Sequence, residues 1–396
     1  LLRLFFSAAI TVALGASAIA QDYGPNVFVP PSTRRAPDAR LSQPTAHTNY
    51  LVYTGPPFYP SPEISRGIGG YTPDQIRSAY SMPSTGGSGK AIAIVDAYHY
   101  ATSLNDFNVF SAQFGLPQES STNPTSSSNR VFQVVYQGSS APPADANWAQ
   151  EEALDIEWAH ALAPNAKIYL VEANSSGLSD LLACVDKASG LANVRAVSMS
   201  WGVDEFSTQA QYDSHFQHSK VVYFSASGDV GGVQSWPPAS QYVVAVGGTS
   251  LEMFETSFLS ESAWSDSGGG PSVYIGRPAF QHRIYMFVGG RRGCPDISSD
   301  ADPQTGCAVY DSTPYSGMSG WLVFGGTSLS TPSVAGMYVT SGAPALNSYN
   351  ELVRIYNAYG SASFRDISTG MAGPFHAVPG WDFVTGVGAP LGTTGF

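Results

Sequence analysis

Five apolar runs of strand length, at residues 91–95, 167–172, 194–199, 221–224 and 242–246, alternate with segments whose apolar residues recur at helical spacing, and this alternation constrains the chain most. The helical candidates are residues 103–114, 147–162, 177–189 and 208–218. Runs that are apolar on both faces and separated by helices imply a mostly parallel central sheet with a helical layer on each side. In such a three-layer α/β fold, function gathers at the loops that follow the C-terminal ends of the strands. The 396 residues allow two or three domains or one large α/β domain. With 43% hydrophobic and only 12% charged residues, the chain can bury a large core and is not a disordered protein. Its 18 Lys+Arg against 30 Asp+Glu give a formal charge of −12, which argues against nucleic acid as a partner. So few charged groups also suit a protein that stays folded in acid.

Residues 1–20 carry one Arg, an apolar run too short for a comfortable membrane span, and Ala18-Ile19-Ala20 before Gln21. These features predict a secretory signal cut after Ala20, with a membrane anchor as the competing reading. The mature protein is then expected to be secreted or periplasmic, free of the membrane and monomeric. Residues 21–69 are Pro-rich, lack apolar periodicity and read as a linker or short pro-segment with little fold of its own. The main domain is expected over residues 70–396. Export permits disulfides, and Cys294 and Cys307, flanking an Asp/Pro/Gly-rich loop, are the natural pair. Cys184 reads as a buried free thiol.

Three stretches carry chemistry. In the helical pattern around Glu151-x-x-x-Asp155, the two acids lie at i and i+4 on one face, a spacing that suits either a solvated acidic stripe or two carboxyls sharing a proton. His160, near that helix's C-terminus, reads as an imidazolium favoured by the helix dipole. Gly325-Gly-Thr-Ser328-Leu-Ser-Thr-Pro332 leads into a helix expected to hold Pro332 in its first turn, so Ser328 is a cap or an exposed nucleophile beside backbone N–H groups. Asp229, in Ser227-Gly-Asp229, follows a buried run and is a site acid or a turn residue.

Together with Gly70-Tyr-Thr-Pro-Asp-Gln-Ile-Arg-Ser-Ala-Tyr80, these motifs, in this order, resemble the sedolisin family of serine-carboxyl peptidases. That family is subtilisin-like in fold and uses carboxylic acids where subtilisins use histidine. The resemblance spans residue 70 to the C-terminus. It implies an acid-active peptidase in which Ser328 is the nucleophile, Glu151 its general base, Asp155 the acid that orients and shares a proton with Glu151, and Asp229 the oxyanion acid. A peptide or protein is the implied substrate. The stretches around Asp366-Ile367 and Val378-Pro-Gly380-Trp-Asp382 resemble the family's calcium loop, which implies one structural Ca2+ held by the side chains of Asp366 and Asp382 and the carbonyls of Ile367, Val378 and Gly380. Residues 21–69 are too short and Pro-rich for the long folded pro-domain that members of the family carry. Asp96 could supply the acid of a histidine triad, but none of the seven histidines sits in a His-Gly-Thr setting. The other function classes are a catalytically inactive exported binding protein on the same scaffold, and an esterase, which the absence of Gly-x-Ser-x-Gly around Ser328 disfavours.

Overall fold

The five apolar runs, joined by residues 132–136, form the six-stranded parallel part of an eight-stranded sheet in the computed structural model, which describes residues 23–34, 44–56, 58–59, 67–342 and 344–396. Its strands are β1 (Ala91–Ala97), β2 (Phe132–Tyr136), β3 (Lys167–Ala173), β4 (Val194–Met199), β5 (Val222–Ala226) and β6 (Val244–Phe254). They lie side by side in the order β2-β3-β1-β4-β5-β6. Beyond β5, β6 also pairs with Ile297–Asp300 in parallel and with Ser257–Ala263 in antiparallel.

Alternation along the strands divides the core in two. Ile92 and Ile94 of β1 face one side with Phe132, Ile168, Leu170, Phe224 and Val246, while Ala93 and Val95 face the other with Val171, Val197 and Tyr223. Helices α1 (Ser103–Phe114), α2 (Ala146–Leu162) and α4 (Thr327–Thr340) cover the first side, and α3 (Leu178–Ser189) the second. The expected helix at 208–218 is instead a 3-10 helix over Gln209–Phe216.

Asp145 starts α2 by accepting the N–H groups of Asn147 and Trp148 at 2.9 and 3.0 Å. Nearly every residue of α2 is buried, because the sheet lies beneath it and α4 beside it. The two helices meet at Gly336, where a Cβ would stand 2.7 Å from the Leu162 Cβ and 3.0 Å from the Ala159 carbonyl oxygen. Only a residue without a side chain permits that approach, which fixes the C-terminal half of α4 against the last turn of α2.

Part of the stretch read as a linker is built into the domain. Leu51–Tyr53 pairs with Met318–Gly325, and His47–Thr48 pairs with Trp201–Asp204, both antiparallel. Tyr50, Leu51 and Val52 are fully buried. Three apolar residues are too few to show a period, and their partners lie more than a hundred residues downstream. The expected signal at 1–20 lies outside the described residues. Among the described residues, no helix is long and apolar enough to cross a membrane. The three cysteines are free and buried. The expected Cys294–Cys307 pair does not form, because the two sit on strands of different sheets, Cys294 against the Pro238 carbonyl and Cys307 beside Asp300. Replacing Gly336 with Val is expected to destabilise the fold by about 1–3 kcal/mol through overpacking at the α2–α4 contact, measured by denaturant unfolding.

Candidate active site

Ser328 lies in the first turn of α4, which begins at Thr327 with Gly326 as its N-cap. The helix therefore starts five residues earlier than the Pro332 signal suggests, and Pro332 stands inside it. Having no N–H, Pro332 cannot bond the Ser328 carbonyl, which is approached instead by the Ser200 hydroxyl at 3.5 Å. Gly326 has φ +99°, and a Cβ there would collide with the Asn49 carbonyl oxygen and stand 2.6 Å from Asp229 Oδ2.

Glu151 and Asp155, one turn apart on α2, are both fully buried, which removes the solvated-stripe reading. Ser200, following β4, ties the site together. Its hydroxyl donates to Asp155 Oδ1 at 2.9 Å, and its carbonyl accepts from the Ser328 hydroxyl at 3.2 Å and from Asn49 Nδ2 at 3.0 Å. Asp229, following β5, accepts from both the N–H and the hydroxyl of Thr327 at 2.8 Å through Oδ1. The structure thus brings Glu151, Asp155, Asp229 and Ser328 into one buried cluster.

Two participants were missed in the sequence. Asp96, at the end of β1, is fully buried, and neither of its oxygens has a hydrogen-bond partner. The signal was present as an acid ending a buried run, but it was weighed only as part of a histidine triad. Asn49 carries no motif, because most of its contacts use backbone atoms. Its N–H donates to Glu151 Oε2 at 3.2 Å, and its carbonyl accepts the Ser328 N–H at 2.9 Å.

The electrostatics follow from burial without counter-charge. No ion pair among the described residues reaches Glu151, Asp155 or Asp96. Burial drives Glu151 well above the ordinary carboxyl range, the charge of Asp96 adds to this, and the nearby Ser328 hydroxyl opposes it. Asp155 is raised by burial, then by Asp96 and Glu151, and its hydrogen bond with Glu151 favours keeping a proton on Asp155. Asp96 is pushed up to about 8 by burial and by Glu172. Farther out, Glu172 receives His99 Nδ1 at 2.7 Å, and that imidazole is 20% exposed. Among the described residues, no group of three or more His, Cys, Asp or Glu side chains is arranged to hold a metal.

His160 is not an imidazolium at a helix end. It is buried against Phe107 and donates Nε2–H to the Pro117 carbonyl at 2.9 Å, and burial lowers its pKa to about 4.

At the C-terminal loop, Gly380 N–H lies 3.1 and 3.0 Å from the two oxygens of Asp366, and Val378 N–H lies 3.2 Å from Asp382 Oδ2. Asp382 is buried, also accepts the N–H groups of Val384 and Thr385, and is pushed up to about 6 by that burial. Both carboxylates thus converge on one turn, and no ion pair among the described residues reaches either. Ile367, Val378 and Gly380 lie on the same two chain segments, and every carboxylate oxygen of Asp366 and Asp382 accepts a hydrogen bond from the loop itself.

Comparison with known proteins agrees with this fold. The model of the subtilase family matches residues 133–351, more than half of the chain. The chain belongs to the subtilase family. Within that family it sits with the sedolisins. It is 30% identical to kumamolisin of Bacillus sp. (strain MN-32) over 364 residues, covering 81% of this chain and 62% of that protein. It is 26% identical to sedolisin of Pseudomonas sp. (strain 101), covering 81% of this chain and 60% of that one. The chain therefore spans about three fifths of the length of these relatives. The structure of Pseudomonas sedolisin complexed with two molecules of pseudo-iodotyrostatin superposes with a TM-score of 0.67 at 24% identity, over 82% of this chain and 96% of that one, and shares the subtilisin-like fold.

The buried acids set the sign of the pH dependence of stability. A carboxyl whose pKa is raised on folding stabilises fully below its unfolded value, and that stability is lost as pH rises through the folded value. Asp96 at about 8, Glu351 at about 7 and Asp311 at about 6 define the window, with Glu151, Glu152 and Asp155 acting in the same direction. His160 runs the other way, losing stability as pH falls below the ordinary histidine range toward about 4. The acids outnumber it, so the melting temperature is expected to fall by roughly 5 °C or more between about pH 4 and pH 8, measured by calorimetry.

Proposed function

We propose that this protein is a secreted, acid-active serine-carboxyl peptidase that hydrolyses peptide bonds through an acyl-enzyme. The observation that carries the reading is the meeting of Ser328 with Glu151 and Asp155 in a buried cluster of carboxyls, with no cationic partner for Glu151 or Asp155 among the described residues. Ser328 is the nucleophile. Its hydroxyl now points to the Ser200 carbonyl, and turning it to Glu151 gives the proton a base. Asp155 keeps Glu151 ready by holding the proton that the two cannot both release. The oxyanion that forms on the substrate carbonyl meets the Ser328 N–H at the start of α4, and beside it Asp229, whose Oδ2 faces the same space at Gly326. A protonated carboxyl donates there, whereas an ionised one would repel the developing charge.

Those roles require opposite protonation states, so activity should be bell-shaped in pH, falling in strong acid as Glu151 is protonated and falling toward neutrality as the shared protons leave. Substrates are peptides or unfolded proteins in an acidic extracellular or periplasmic setting, and the enzyme acts as a monomer. Asp366 and Asp382, with the carbonyls of Ile367, Val378 and Gly380, would hold one Ca2+ that fixes the C-terminal loop. Bound there, the ion neutralises two carboxylates and takes no part in the chemistry.

Ser328→Ala and Glu151→Gln are each expected to lower hydrolysis of a denatured protein substrate by roughly 10³-fold or more, with the wild-type optimum well below neutral pH. An optimum at neutrality, or substantial activity in Ser328→Ala, would overturn the assignment. Treatment with a calcium chelator is expected to lower the melting temperature, and an unchanged melting curve would remove the calcium site.

A further inference from the structure

The hairpin formed by Gly270–Gly276 and Arg291–Cys294 ends in a lobe that shows more apolar surface than its packing requires. Gly276 lies opposite Arg291, so residues 277–290 connect the two strands. A 3-10 helix, Ala279–Ile284, runs into one α-helical turn, Tyr285–Val288. Phe280, Ile284 and Val288 are buried and anchor the lobe in the core. Gln281, fully buried, fixes it further by donating to the Gly293 carbonyl and the Tyr356 hydroxyl, both at 2.7 Å, and by accepting the Gly293 N–H at 3.0 Å.

Those contacts leave the tip uncovered. Tyr285, Met286 and Phe287 are 52%, 77% and 44% exposed. Successive residues of a helix point about 100° apart, so three in a row are exposed only where the turn projects from the surface. Positive charge gathers at the same place. The Arg277 guanidinium stands 6.0 Å from the centre of the Tyr285 ring, and His282, Arg283 and Arg291 are exposed. Residues 267–295 contain no Asp or Glu, a local reversal of sign in a chain of formal charge −12. Arg292 is buried and paired with Asp296, but no ion pair among the described residues reaches Arg277, Arg283 or Arg291. Glu205 meets the hairpin at its stem, through the Ser272 hydroxyl and the Val273 N–H.

We propose that this lobe docks the protein, reversibly and from one side, onto an anionic lipid surface. A folded protein partner is matched over a wide, complementary face. A narrow projection of Tyr, Met and Phe instead enters the boundary between headgroups and acyl chains, where aromatic and apolar side chains partition. The arginines beside it reach the lipid phosphates, each worth roughly a fivefold gain in partitioning at an anionic leaflet. Such a contact needs no membrane-spanning helix, and it departs from the expectation of a protein free of the membrane. The stem of the hairpin, at Gly270, Pro271 and Val273, lines a cavity of about 400 Å³ with Asp204 and Glu205. Asp204 ends the strand that follows Ser200, so a docked lobe holds this side of the active site toward the lipid and favours substrates held at that surface. Docking itself does not depend on the catalytic reading.

The test is flotation of the full chain with vesicles of phosphatidylcholine, with and without phosphatidylglycerol. A second measurement reads the tip alone: Met286→Cys carries an environment-sensitive dye, and Cys184, Cys294 and Cys307 are buried and do not compete for it. Vesicles that contain phosphatidylglycerol are expected to bind the chain roughly tenfold or more better than phosphatidylcholine alone, with a blue shift of the dye. The combined variant Tyr285→Ser, Met286→Ser, Phe287→Ser is expected to weaken that binding by roughly tenfold or more, with an unchanged melting temperature and unchanged hydrolysis of a soluble denatured protein. Arg283→Gln with Arg291→Gln is expected to remove most of the preference for phosphatidylglycerol. No vesicle binding, binding with the dye unmoved, undiminished binding by the triple serine variant, or an intact preference in the arginine variant would each overturn the proposal. A wild-type dimer that forms without lipid and is lost in the triple serine variant would show that a second copy covers the lobe, and would overturn it as well.

Discussion

Carboxyl groups buried together without cations govern this structure. Glu151, Glu152, Asp155 and Asp96 lie in the layer between the sheet and α2, fully out of water, and neither Asp96 nor Glu152 has a hydrogen bond to either of its oxygens. Ionising them all would cost far more than the net stability of a domain, so the folded state keeps protons on several. The formal charge of −12 therefore overstates the negative charge the folded protein carries near neutrality. The same retained protons are the feature a serine-carboxyl mechanism draws on, which makes fold and proposed chemistry two uses of one arrangement.

The scaffold makes that arrangement possible by bringing two helix segments together. β1, β4 and β5 deliver Asp96, Ser200 and Asp229 at or just past their C-terminal ends, as a parallel sheet does. Glu151 and Ser328 come from helices instead, and their meeting depends on the close approach of α2 and α4 at Gly336. Gly326 does the corresponding service at the other end of α4, where any side chain would fill the space shared by the Asn49 carbonyl and Asp229.

Much of this was legible in the sequence, for identifiable reasons. Strands and helices with long apolar patterns, such as residues 194–199 and 103–114, were readable to the residue because burial on a sheet face imposes the pattern directly. The acids Glu151, Asp155 and Asp229 and the serine Ser328 were readable because their motifs are local. What escaped was carried by backbone or by distance. The segment at residues 47–53 contains no periodic run, and its pairing partners at Trp201–Asp204 and Met318–Gly325 are remote in sequence. His160 departs from the imidazolium expected of a helix end because Phe107 and the Pro117 carbonyl, remote in sequence, enclose it and outweigh the helix dipole. Pro332 is a local start signal, but tertiary packing of α4 overrides the cost of a proline inside a helix.

The segment at residues 47–53 and the acids also act on each other. While Asn49 covers the cluster, Glu151 is dry and strongly favours its proton, even though the Asn49 N–H partly offsets this. A Glu151 that holds its proton is a poor base, so water or substrate must reach it before the proposed chemistry can begin, and hydration lowers the carboxyl toward its ordinary range. The Asn49 N–H bonds Glu151 itself, while Asp155 takes the Ser200 hydroxyl and neither oxygen of Asp96 has a hydrogen-bond partner, so a change at Asn49 acts first on the base. Separation of neighbouring acids is the condition the proposed mechanism requires.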